Sequence, residues 1–210
     1  MKSYTMLHRY TGVGVFLLTL GLYVQTMAPA VSFWDCGEFI ATSYILGVPH
    51  PPGSPLYVLL GRVFSLFPVA DVAARVTFMS ALSSALAVWC VYCSTLALAR
   101  RALGGHPLIP FGDRRDVGPL SGAVLAALLL AFSYTQWFNA TEAEVYGYSI
   151  FFTCAGLWLI LYWEGSGYHH ASDRWLLFIA YLFGLGGGLH LLCLLTIPTL
   201  AILAWFADDK

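Results

Sequence analysis

The chain has 210 residues, 59% of them hydrophobic and 10% charged, with a mean hydropathy of +0.75 and a formal net charge of -1. Soluble globular domains carry about 25% charged residues, so this composition excludes an ordinary soluble domain and predicts an all-α membrane protein. The near-neutral balance excludes a nucleic-acid binder, which needs a basic face.

The first uncharged stretch, 10–34, follows Lys2, His8 and Arg9. Ala28-Pro29-Ala30 imitates a leader cleavage site, but the apolar run Tyr10 to Ala30 exceeds a leader core and further apolar stretches follow. It reads as a retained first span over 10–29, since crossing a bilayer takes about 20 apolar residues. A long external loop, 30–73, comes next. It holds Phe33-Trp34-Asp35-Cys36-Gly37-Glu38-Phe39 and His50-Pro51-Pro52-Gly53. Charge beside a bilayer is costly, so acids clustered there are a functional hypothesis by default.

Asp35 and Glu38 are spaced i, i+3 and share one face if a helix begins there. They read either as a proton-transfer pair, one carboxyl raised by its neighbour, or as a capping-box start with Asp35 as N-cap. Pro51 holds His50 extended, leaving it able to meet a phosphate or carboxylate, or simply to turn an exposed corner. Trp34 and Phe33 suit an interfacial aromatic belt. The segment Pro55–Phe67 is apolar but only 13 residues long and carries Arg62, which predicts a helix lying at the membrane surface.

Further spans are expected at 74–99, 118–138, 145–163 and 175–206. Between the third and fourth, Asn139 to Tyr146 contains Glu142, Glu144 and Tyr146. On a helix Glu142 and Tyr146 share a face and Glu144 points away, forming either a solvated junction or a second wall of one pocket. The last span is over-long and must tilt, kink near Pro198 or overrun the bilayer. Its Gly184-Leu185-Gly186-Gly187-Gly188 favours close helix packing over local unwinding. His190 follows, either bonded to backbone or facing an anionic head group.

Arg100, Arg101, Arg114 and Arg115 fill one loop, and the positive-inside rule puts the amino terminus in the cytoplasm. Seven of ten Lys/Arg then lie inside, and seven of eleven acids outside: Asp35, Glu38, Asp71, Glu142, Glu144, Asp208 and Asp209. Arg62 and Arg75 are outside cations suited to lipid phosphate; His169-His170 falls in a short inner loop. The five cysteines have no metal-ligand pattern, and Cys90/Cys93 read as small apolar filler. No His, Asp or Glu grouping has ligand spacing that assigns a metal.

Four strings, in order, carry a resemblance: FWDCGEFIATSYILGVPHPPGSPLYVLLGRVFSLF, RVTFMSALSSALA, NATEAEVYGYS and GLGGGLHLL. Together they resemble a bacterial membrane family of unknown function related to the eukaryotic transmembrane protein O-mannosyltransferases, within the GT-C glycosyltransferase superfamily. The likeness runs from about residue 10 to 205. It implies a polyprenyl-phosphate sugar donor, mannose favoured, and a protein hydroxyl acceptor on the outer face of a bacterial inner membrane. It also implies Asp35 as general base, Glu38 as its helper, inversion at the sugar, and carrier phosphate held by His50, Arg62, Arg75 or His190, with Glu142, Glu144 and Tyr146 lining the site. The superfamily usually has about twice as many spans. The resemblance therefore implies a single transmembrane domain over 1–210 that is the amino-terminal portion of a larger unit, a divergent short form, or a subunit that needs a partner. The competing class is a transporter or flippase for a lipid-linked sugar or small solute, which predicts acids midway through the spans. A non-catalytic membrane scaffold is the third.

Overall fold

The computed structural model describes residues 2–166 and 173–207, all of it helical or irregular with no strand among them. His169-His170 and Asp208-Asp209 lie outside the described residues. Nine α-helices follow in order: α1 (Lys2–Thr26), α2 (Cys36–Ile45), α3 (Pro55–Ser65), α4 (Val72–Ala102), α5 (Val117–Ala131), α6 (Tyr134–Thr141), α7 (Val145–Gly165), α8 (Asp173–Gly187) and α9 (Ile197–Ala207). Short 3-10 turns precede α5 and α9.

α4 is the central post, packed against α1, α3, α5, α6 and α7. Small side chains make this possible. Ser80, Ala81, Ser83, Ser84 and Ala85 are all buried on α4, and a Cβ on Gly147 of α7 would sit 2.8 Å from Ser84 Oγ. Close backbone approach of this kind is how helices associate in lipid, where apolar burial gives little drive. Outward-facing leucines, among them Leu17 and Leu18 on α1 and Leu125 and Leu129 on α5, are exposed.

α4 and α7 are each long and apolar enough to cross a membrane, and α5 with α6 would make a third span if the bent pair is counted as one. The expected five continuous spans are thus not all continuous helices. The first helix stops at Thr26, short of residue 29. The stretch 118–138 bends by 61° between α5 and α6, because Ser133 starts a new helix by accepting from Gln136 N at 3.4 Å. The stretch 175–206 breaks at its glycines, ahead of Pro198: α8 ends at Gly187, and α9 starts at Ile197. Both glycine roles occur there. Gly186 packs so closely that a Cβ would lie 2.6 Å from Cys193 Cβ. The carbonyls freed by unwinding are taken up by the start of α3, Gly188 O by Leu56 N at 3.0 Å and Leu189 O by Ser54 Oγ at 3.0 Å.

That exchange joins the His50-Pro51-Pro52-Gly53 loop to the glycine-rich break. Ser54 and Gly53 both adopt positive φ, 35° and 90°, which turns the chain sharply into α3; Gly53 does so at no steric cost. Beneath these elements one buried apolar cluster, including Cys36, Phe39, Tyr57, Val76, Met79, Val145, Tyr148 and Leu189, forms a common floor.

Candidate functional site

α2 begins immediately after Asp35, which meets the condition for the i, i+3 pair to share a face. Its start is not a capping box, because Asp35 makes no side-chain cap bond and Glu38 reaches away from the helix. Glu38 Oε1 accepts from His50 N and Oε2 pairs with His50 Nδ1, both at 2.7 Å. Two contacts from one carboxylate to one residue fix the loop's approach to α2. They also hold the Glu38 carboxyl below its ordinary value, through the His50 imidazole and then its backbone N–H. In return, the hydrogen bond that it donates to Glu38 raises the His50 imidazole. The His50 ring packs edge-on to Phe39 with centroids 5.7 Å apart.

Asp35, Glu38 and His50 are all exposed, and one potential ligand atom from each lies within 4.8 Å of the others. Trp34, directly before Asp35, has φ of 62° and is 85% exposed beside an equally exposed Phe33. An aromatic held in that left-handed region is a genuine outlier, and such strain concentrates at working sites.

The second wall departs from helical expectation. Glu142 and Glu144 lie in an extended link between α6 and α7, with ψ of 156° and 153°. The face shared by Glu142 and Tyr146 on a helix is therefore not formed. In extended chain, residues i and i+2 point the same way, and both carboxylates turn to Cys36: Glu142 Oε2 at 3.8 Å and Glu144 Oε1 at 3.7 Å from its Sγ. Cys36 is fully buried, and burial pushes its thiol up to about 11. Glu144 is itself buried; desolvation, then the Asp35 charge, raises its carboxyl. Ser80 of α4 pins its backbone, donating to Glu144 O at 3.3 Å and accepting from Glu144 N at 3.4 Å. The Tyr57 hydroxyl, wholly buried, lacks a hydrogen bond of normal geometry and interacts with Ser80, Glu144 and Cys36.

Tyr146 and His190 do meet, ring against ring at 5.6 Å. His190 sits in the break rather than within a helix, with Nδ1 accepting from Leu192 N at 3.2 Å. Both arginines are occupied by backbone carbonyls. Arg62 donates to Tyr44 O at 2.5 Å and lies over the Tyr44 ring. Arg75 donates to Ser65 O at 2.6 Å and to Phe67 O, closing off α3. Arg75 also lines an apolar pocket of about 370 Å³ with Met27, Phe64, Phe67 and Phe78.

The structure thus brings Asp35, Glu38 and His50 together, joins Glu142 and Glu144 to them through Cys36, and pairs Tyr146 with His190. Sequence reasoning missed Cys36, Tyr57 and Ser80. Only the position of Cys36 between Asp35 and Glu38 hinted at its role; nothing local marked Tyr57 or Ser80.

Residues 35–210 match the model of the family described as Protein O-mannosyl-transferase TMEM260 N-terminal domain, and the chain belongs to that family. It is 31% identical over 135 residues to the mouse (Mus musculus) protein O-mannosyl-transferase TMEM260, covering 64% of this chain and 17% of that protein. It is 28% identical over 217 aligned positions to the Dictyostelium discoideum protein of the same name, covering 94% of this chain and 24% of that protein. The chain therefore spans about a quarter or less of these relatives. No solved structure matches.

Proposed function

We propose that this chain is the amino-terminal membrane part of a glycosyltransferase that moves a sugar, mannose favoured, from a polyprenyl-phosphate carrier to a protein hydroxyl. The reaction is assigned to the outer face of a bacterial inner membrane, with the amino terminus cytoplasmic. Relatives bearing the name protein O-mannosyl-transferase support the activity. The observation that carries the reading is the exposed grouping of Asp35, Glu38 and His50, backed by Glu142 and Glu144.

Asp35 is the general base in this reading. Its carboxylate makes no cap bond to α2, so it is available to take the acceptor's proton. As that proton leaves, the hydroxyl oxygen bonds to the anomeric carbon and the bond from that carbon to the carrier phosphate oxygen breaks. The phosphate departs with the electron pair from the opposite face, giving inversion. A positioned base contributes ~10²–10⁴-fold. Glu38, held by His50, orients the approach, while Tyr146 and His190 border the sugar. Arg62 and Arg75 would serve the carrier only by leaving their carbonyls.

The test supplies a polyprenyl-phosphate mannose and an acceptor peptide to the protein with any carboxy-terminal portion or partner subunit present. Wild type transfers mannose, and Asp35→Asn loses at least a hundredfold, the low end of that range, with an unchanged melting profile. Full-rate transfer by Asp35→Asn removes it as the base. Uptake of the lipid-linked sugar without transfer would favour the transporter instead.

A further inference from the structure

We propose that the apolar pocket beside Arg75 is a binding site for an anionic bilayer phospholipid, with one acyl chain in the pocket and the phosphate on the Arg75 guanidinium. Such a site stands apart from the sugar-transfer reading. The pocket, of about 370 Å³, lies between the end of α1 at Met27, the last part of α3 and its exit at Phe64 and Phe67, and the first turns of α4 at Ala74, Arg75 and Phe78. Its size is that of a ligand cleft, about 300–1,000 Å³, and its walls are apolar apart from Arg75. Along α3 and the turn after it, Leu59, Val63, Leu66 and Val69 are exposed. A surface helix with an apolar outer side rests at the boundary between head groups and acyl chains, so a lipid tail meets the pocket at its own depth.

Charge decides what heads that chain. Arg75 donates from Nε to Asp71 O at 3.3 Å, and from Nη1 to Ser65 O at 2.6 Å and to Phe67 O. All three acceptors are neutral carbonyls. Among the described residues the ion pairs are those of His8, His50, Arg100, Arg101 and Arg115, so no carboxylate there matches the charge of Arg75. Its Nη2 has no hydrogen bond among them either. An uncompensated guanidinium with a donor to spare, set in the wall of an apolar pocket, complements a phosphate that carries an apolar chain. The carbonyl bonds stay intact and hold the cation in place. The sugar carrier suits this position poorly. At about 3.6 residues per turn, Ala74, Arg75 and Phe78 fall on the side of α4 away from Ser80, which donates to Glu144 O at 3.3 Å. A chain in the pocket therefore runs on the opposite side of α4 from the acidic wall where a carrier presents its sugar.

Native mass spectrometry of the full chain, released from nanodiscs of equimolar phosphatidylglycerol and phosphatidylcholine, tests the site without donor or acceptor. Wild type retains one phosphatidylglycerol per chain in preference to phosphatidylcholine. Arg75→Gln lowers that preference about fivefold, in keeping with one basic residue at a membrane surface. Arg115→Gln, beyond the other end of α4, keeps it. Because Arg75 also ties α3 to α4, Arg75→Lys is the second variant: it retains the charge, and with it the preference, even where the carbonyl bonds are lost. Ala74→Phe fills the pocket, retains neither lipid and melts as wild type. The site is overturned if wild type holds the two lipids equally, if Arg75→Gln keeps the full preference, or if Arg75→Lys loses it. Retention of phosphatidylglycerol by Ala74→Phe, or a loss in Arg115→Gln as large as in Arg75→Gln, overturns it too. Added polyprenyl phosphate leaves the bound phosphatidylglycerol in place; displacement would make the carrier the occupant and overturn the assignment. No sugar is involved, so an empty pocket leaves transfer by Asp35 standing, and failed transfer leaves the lipid readout unaffected.

Discussion

Near the start of α4, the carboxylates of Asp35 and Glu38 stand exposed beside His50. Near its end, Asp116, Arg100 and His8 are almost wholly buried. Asp116 there accepts from Gly112 N at 2.8 Å and Phe111 N at 3.3 Å, and faces His8 Nε2 at 3.4 Å and Arg100 Nε at 3.5 Å. Arg101 and Glu164 pair beside it. The buried acid meets Arg100 of α4, His8 of α1 and backbone N–H groups of its own loop, so it fastens elements together. The exposed acids outnumber their cations and stay accessible to an incoming molecule. Paired, desolvated charge builds structure; unbalanced, accessible charge is available for chemistry.

The largest expected effects separate the two ends most clearly. Asp116→Ala leaves the buried Arg100 without its anion, and removing one partner of a buried ion pair costs about 3–5 kcal/mol. Thermal melting should register that loss, whereas Asp35→Asn, an exposed change, should stay within about 0.5 kcal/mol of wild type while transfer collapses. A normal melt for Asp116→Ala breaks the contrast. Gly61→Ala probes the scaffold between the ends, since the new Cβ would lie 2.7 Å from Ser43 Cβ on α2. Forcing α2 from α3 should cost roughly 1–3 kcal/mol and lower transfer by loosening the reach of His50 to Glu38; an unchanged melt and rate would show that the helices part freely.

Glu144→Gln is smaller and of opposite sign. The folded protein holds the Glu144 carboxyl above its ordinary 4.5, through burial and then Asp35. Ionising it therefore opposes the fold as pH rises from 4.5 through the raised value, and the neutral amide removes that opposition. At neutral pH the Tm should rise by roughly 2–4 °C, the shift that ~1 kcal/mol produces in a domain of this size. A fall in Tm would mean that the ionised carboxylate is held favourably.

The finest effect is a titration. The raised His50 value gives stabilisation fully present below 6.5 and lost as pH climbs through it; the lowered Glu38 value gives stabilisation present above 4.5 and lost as pH drops through it. The pair is therefore complete between pH 4.5 and 6.5. In metal-free buffer, NMR of His50 should show a midpoint above 6.5 that returns towards 6.5 in Glu38→Gln. Identical midpoints would show that the pair does not persist in solution.

Local patterns in the sequence revealed much of this. The helical character, the helix from Pro55, and the closeness of Asp35 to Glu38 follow from apolar runs, the early proline and i, i+3 spacing. Errors arose where the chain interrupts an apolar run. Hydropathy is nearly blind to a break made of Gly, Ser or Leu, so 118–138 reads as one continuous span and 175–206 as one span that tilts, kinks near Pro198 or overruns the bilayer. Glu142 and Glu144 fall between the expected spans 118–138 and 145–163, and only the structure shows that this link is extended rather than helical.

By itself, the sequence determined the helical, membrane-suited character of the chain and which acids lie outside its apolar stretches, because composition and short-range periodicity are local properties. Tertiary structure alone decided which of those groups meet. Glu38 and His50 are 12 residues apart, Cys36 and Glu144 108 apart, and Ser54 and Leu189 135 apart. Contacts across such separations depend on close packing around α4 and on where freed backbone carbonyls find donors, and no local pattern encodes either.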